Sequence, residues 1–118
     1  MEIFSWEDGR FEDALGEADI LVNTTPLGMT PEVGAAPPVR WESVRPEAFV
    51  YDIIYTPERT RFLREAEART HRVLNGTAML VGQGAEAFAL WTGTHPDEAA
   101  MEKALLDSLR AKEQEMKS

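Results

Sequence analysis

The sequence predicts an α/β fold built on a parallel sheet of about three to four short strands flanked by helices. Three observations carry that expectation. Apolar runs of strand length at residues 20–22, 49–55 and 72–74 alternate with stretches of helical period. The run Phe49-Val50-Tyr51-Asp52-Ile53-Ile54-Tyr55 is aromatic and β-branched, and it is apolar toward both faces except at Asp52. Strands of that kind belong to parallel sheets covered on both sides. Residues 56–71, between the last two runs, are long enough for the helical crossover that parallel neighbours require.

Taken in order, residues 3–6 read as a short first strand. Residues 7–18 read as a weak helix with Phe11, Leu15 and Ala18 on its inner face. Ile20-Leu21-Val22 is a buried strand that stops at the turn Asn23-Thr24-Thr25-Pro26. Residues 26–46 hold five of the seven prolines, together with Gly28 and Gly34, and form a long loop. One helical turn near Trp41 interrupts it. After the 49–55 strand, Thr56-Pro57 or Thr60 starts a helix whose inner face is Phe62, Leu63 and Ala66. The third run ends in Asn75-Gly76. Residues 77–92 make an almost wholly apolar helix, stopped by Thr92-Gly93. Pro96 suits the first turn of a last helix reaching about Lys117, with Met101, Leu105 and Leu109 as its stripe. Asp97 and Glu98 sit at its positive end, and Arg110, Lys112 and Lys117 at its negative end.

At 118 residues the chain suits about one small domain. Its net charge is -9, and residues 1–19 alone carry seven acids against one base. No basic patch is present, which argues against a nucleic-acid partner. The longest apolar run is five residues, Ala87-Phe88-Ala89-Leu90-Trp91, against about 20 for a membrane span. There is no cysteine, hence neither disulfide nor thiolate metal site, and no signal-peptide pattern, all of which fits a cytoplasmic protein. His71 and His95 stand alone, without metal-ligand spacing, and read as surface residues.

Three strand ends carry polar residues: Asn23-Thr24-Thr25, then Asp52 with Tyr55, then Asn75-Gly76. In open parallel sheets ligands bind beyond the carboxyl ends of the strands, so these ends would line one crevice. The same residue types also serve ordinary turns. Gln83 stands inside the apolar helix between Gly82 and Gly84. Each interior glycine costs about 1 kcal/mol relative to alanine. Close approach of a ligand or of another backbone would account for this group, and so would a satisfied core glutamine beside a tight helix contact. Asp52 either bonds backbone donors or sits near a ligand.

Together these segments resemble the shikimate dehydrogenase family. Val22-Asn23-Thr24-Thr25-Pro26-Leu27-Gly28-Met29 is similar to its V-N-[AT]-[TS]-x-x-G-M segment. Asp52 through Pro57, followed by Thr60-Arg61-Phe62-Leu63, is similar to D-x-x-Y-x-P…T-x-[LF]-L. Asn75-Gly76-Thr77-Ala78-Met79-Leu80-Val81-Gly82-Gln83-Gly84-Ala85 is similar to N-G-x-x-M-L-x-x-Q-G-A, and Phe88 with Leu90-Trp91-Thr92-Gly93 continues it. The three blocks stand in family order over about residues 19–105.

The resemblance implies a partial Rossmann-like sheet. Residues 1–118 would be the C-terminal portion of an NADP-binding domain, with residues 94–118 as its C-terminal helix. It implies NADP as cofactor and reversible reduction of 3-dehydroshikimate to shikimate. It implies that Asn23, Thr24 and Thr25 line the cofactor crevice. Ile53 and Gly76 would meet the nicotinamide end through their backbones, and Met79 would pack beside it. Tyr55 and Gln83 would contact shikimate or a related ring acid. The family's catalytic Lys–Asp pair and its phosphate-binding glycine-rich turn have no counterpart here, so no catalytic residue and no metal ligand is assigned. The expected partner is a second copy or a complementing chain. The competing class is a non-catalytic ligand-binding or assembly module derived from the same fold.

Overall fold

The computed structural model describes residues 1–117, with side-chain surroundings through Glu115. Helix α1 (Gly9–Glu17) leads to strand β1 (Ile20–Asn23). A 3-10 turn (Trp41–Ser43) precedes β2 (Phe49–Asp52), α2 (Arg61–Ala68), β3 (Val73–Leu74), α3 (Thr77–Thr92) and α4 (Glu98–Lys117). The three strands lie in the order β1-β2-β3 and all pair parallel. The expected strand at residues 3–6 does not form. No strand lies beside it to pair with, and Ile3 is exposed.

Register explains the core. Leu21 pairs with Val50 and Val50 with Val73, so the three share one sheet face. That face packs against Leu15 of α1, Trp41 and Val44 around the 3-10 turn, and Phe62, Leu63 and Ala66 of α2. Helix α2 starts where Thr60 Oγ1 accepts the Leu63 N–H at 3.2 Å, the second of the two predicted starts. Helix α3 ends where Gly93, at φ +72°, donates its N–H to the Ala89 carbonyl, as its composition predicted.

The opposite face departs from expectation. Ile20 and Val22, side by side with Phe49 and Tyr51, are 62% and 42% exposed. The run at residues 20–22 is therefore covered on one side only. Helix α3 is likewise less buried than its composition suggests, with Thr77, Val81 and Ala85 inside and both Leu90 and Trp91 84% exposed. His71 is the reverse case. It is buried, its Nδ1 is 2.9 Å from the Ala48 carbonyl, and its ring lies 5.7 Å from Trp41. One polar partner on the adjoining chain suffices to hold an imidazole in an apolar layer.

Strand β2 stops at Asp52, not at Tyr55, because the Asp52 carboxylate captures the Ile54 N–H at 3.0 Å and turns the chain off the ladder. The other carboxylate oxygen accepts Thr60 Oγ1–H at 2.7 Å, and Asn23 Nδ2 reaches both oxygens at 3.3 Å. Replacing Asp52 with alanine leaves those donors buried and unpaired. We expect Asp52→Ala to lower the unfolding free energy by on the order of 3 kcal/mol in urea titration. A loss below about 1 kcal/mol would show that the network carries little.

Gly76 is where the start of α3 meets the chain just after β2. A Cβ there would stand 1.9 Å from the Ile53 carbonyl oxygen and 2.5 Å from its carbon, both backbone atoms. Gly76→Ala must therefore displace the start of α3. The expected cost is about 1–3 kcal/mol, read as a lowered melting temperature, whereas Gly82→Ala, with open space around it, should leave the melt unchanged or raise it.

Candidate functional site

The carboxyl ends of β1 and β2 open into a groove of about 550 Å³ between residues 24–30 and residues 53–56. The wall after β1 is built by turn chemistry that recurs at the end of β3. Asn23 Oδ1 accepts the Thr25 N–H at 3.0 Å and the Thr25 hydroxyl at 2.6 Å. Asn75 Oδ1 accepts the Thr77 N–H at 3.1 Å and the Thr77 hydroxyl at 2.7 Å. The ends of β1 and β3 thus each use an Asn-x-Thr turn to curl the chain away from the sheet, and β2 turns at the Asp52–Ile54 bond. The two walls are joined where Thr30 donates its N–H to the Thr56 carbonyl at 2.9 Å. The Thr30–Pro31 and Thr56–Pro57 peptide bonds beside that joint are both cis.

Of the residues expected from the sequence, Thr24, Thr25, Ile53 and Tyr55 line this groove together. Asn23 stands behind the wall. It is buried, and its amide is committed to Asp52 and to the Leu27 carbonyl. Gly76 meets Ile53 through the backbone and donates its N–H to the Ile54 carbonyl at 2.9 Å. Met79 and Gln83 lie on α3, exposed and outside the groove lining. The Gln83 amide is therefore a surface group here and not a core one. Gly84 beside it packs on Met101 Cε of α4, at 3.3 Å from where its Cβ would be. Asp52 is structural: it is buried and accepts from Asn23, Ile54 and Thr60.

Sequence reasoning missed Met29, Thr30 and Thr56 as groove residues and Glu58 as a support. The recurring Asn-x-Thr at two strand ends was the available signal. Glu58 carries its own network. Its backbone carbonyl accepts Asn75 Nδ2–H at 2.9 Å, and its carboxylate takes a two-pronged bond from Arg110 of α4 at 2.8 and 3.1 Å. The Arg110 hydrogen bonds hold the Glu58 carboxyl below its ordinary value, against the opposing effect of partial burial.

None of the groove's lining residues is charged. A neutral, mixed apolar and hydroxyl surface suits an uncharged ring and offers no cation for phosphates. A larger cavity of about 680 Å³ lies beside α2, away from the strand ends. Its arginines, Arg40, Arg61 and Arg69, are engaged by Glu12, Glu42 and Glu65.

Comparison with known proteins bears on this arrangement. Residues 76–106 match the family described as the shikimate 5'-dehydrogenase C-terminal domain. The NADP(+) shikimate dehydrogenase of Geobacillus kaustophilus is 48% identical over 99 residues, which are 84% of this chain and 36% of that protein. The Thermus thermophilus shikimate 5-dehydrogenase, solved with NADP(H) and shikimate, is 43% identical with a TM-score of 0.71, over 79% of this chain and 35% of that one. A quinate dehydrogenase from Corynebacterium glutamicum, solved with NAD, is 33% identical with a TM-score of 0.73, over 82% and 34%. The chain spans about a third of the length of the curated relatives it matches. Among the described residues no helix is long and apolar enough to cross a membrane. Across the residues so matched, strand ends and groove included, this chain is similar to the corresponding third of the shikimate dehydrogenases.

Proposed function

We propose that this chain supplies the nicotinamide-side wall of an NADP-dependent oxidoreductase that interconverts shikimate, or a related ring acid, with its ketone. The observation that carries the reading is the neutral groove at the strand ends, with Thr24, Thr25, Ile53 and Tyr55 on it and Gly76 pressed against its floor. NADP, when bound, supplies the hydride acceptor for the ring carbinol. The residues of the groove fit its nicotinamide end, a flat ring that bears no phosphate. Thr24, Thr25 and the backbone of Ile53 and Gly76 seat that ring, with Met79 beside it. The Tyr55 hydroxyl and the Gln83 amide meet the ring acid. The adenosine phosphates, and the acid–base pair that takes the hydroxyl proton, need polypeptide beyond these 118 residues.

Two readouts test this. The purified chain alone should produce no NADPH from shikimate, and turnover by it would overturn the division of labour. Shikimate should bind weakly by isothermal calorimetry, and Tyr55→Phe or Gln83→Ala should weaken it further. No binding at millimolar shikimate would favour the assembly module instead.

A second reading, self-association or completion by another chain, rests on surface area. The chain exposes 8003 Å². A compact protein of 13.2 kDa exposes about 6,400 Å². The excess is of the size that a stable interface covers, and the exposed apolar side chains include Ile20 and Val22 on the edge strand β1. Light scattering at micromolar concentration should therefore report a species heavier than the monomer. A clean monomer would refute self-association.

A further inference from the structure

Helix α4 touches both parts of the proposed ring-acid site, and it does so from behind. Near its start, Met101 packs over Gly84, the neighbour of Gln83 on α3. Farther along, Arg110 forks onto Glu58, three residues beyond Tyr55. Nine residues separate Met101 from Arg110, about 13.5 Å along a helix at 1.5 Å per residue. Glu58 is in turn bound to the turn before α3, because its backbone carbonyl accepts the Asn75 amide. Asn75 also holds the first N–H of α3 through Thr77. The segment bearing Tyr55 and the helix bearing Gln83 thus meet at Asn75, and α4 spans from Glu58 to Gly84 across them.

We propose that α4 is a strap that fixes the separation of Tyr55 and Gln83, with Arg110, Glu58 and Met101 as positioning residues. None of the three need touch a ligand. Tyr55 and Gln83 are both exposed and belong to different elements, so neither is held at its spacing by burial. A single exposed ion pair contributes little to stability. Here its role is geometric: the planar guanidinium fork accepts the carboxylate in one orientation and so sets how α4 lies across the loop.

The importance of that separation rests on the proposed site, but its origin can be tested without any ligand. The chain contains no cysteine, so Tyr55→Cys with Gln83→Cys gives a pair of unique spin-label positions. Dilution with unlabelled chain removes intermolecular signals. Pulsed electron resonance should give one narrow distance distribution in the otherwise unchanged chain. Arg110→Ala and Met101→Ala should each broaden and shift it, with the far-ultraviolet spectrum retained. The exchanged pair Glu58→Arg with Arg110→Glu should restore the narrow peak, which a general loss of stability would not do. Lys103→Ala, on the exposed side of α4 with Asp107, should leave it as it was. An unchanged distribution in Arg110→Ala and Met101→Ala would overturn the strap while leaving the binding reading intact. A narrow peak in the labelled chain, together with no shikimate affinity in the unlabelled chain that keeps Tyr55 and Gln83, would reject the binding reading alone.

Discussion

The carboxylate of Asp52 is the point on which the fold turns. It is fully enclosed, and it gathers donors from the end of β1, from its own following turn and from the cap of α2. A carboxyl group removed from water is costly unless its oxygens are satisfied, and here they are. Among the described residues no buried side-chain nitrogen or oxygen lacks a partner. Through Asn23 the network reaches the 25–27 turn, and through Thr60 it reaches the backbone of Leu63. A shift of one residue in the β1–β2 register would carry Asn23 to the other sheet face and leave the carboxylate short of a donor. The apolar layer beneath makes the sheet compact, and the carboxylate makes its alignment unique.

This division of labour explains why the groove is lined as it is. At each Asn-x-Thr turn the asparagine amide is consumed internally. The residues that reach the surface are then hydroxyls, apolar side chains and backbone. At the β1 wall the neutrality of the groove follows from this, and at the β2 wall the Asp52 carboxylate is likewise consumed inside. The lining residues therefore offer no cation to a phosphate.

The regular elements were legible in the sequence because each carried a local rule. Thr60 caps, Gly93 terminates, Trp41 marks a turn, and the three apolar runs give the three strands. The candidate site residues came from ordered motifs, and four of them share one groove. What sequence reasoning could not supply was the partner of each polar group. His71 looked like a surface residue because its acceptor, the Ala48 carbonyl, is 23 residues away. Asp52 kept two readings until Asn23 and Thr60 were placed beside it. Gln83 looked enclosed because its helix is apolar, yet the surface around it is open. Apolar composition reports what a segment is suited to bury, and only the full set of neighbours decides whether it does.

The bare face of the sheet has one further consequence. Ile20 and Val22 stand on β1, an edge strand of the sheet. Such an edge can accept a further strand by backbone pairing, whether from a specific neighbour or in an aggregate. The feature that leaves the face open is therefore also a hazard for solubility.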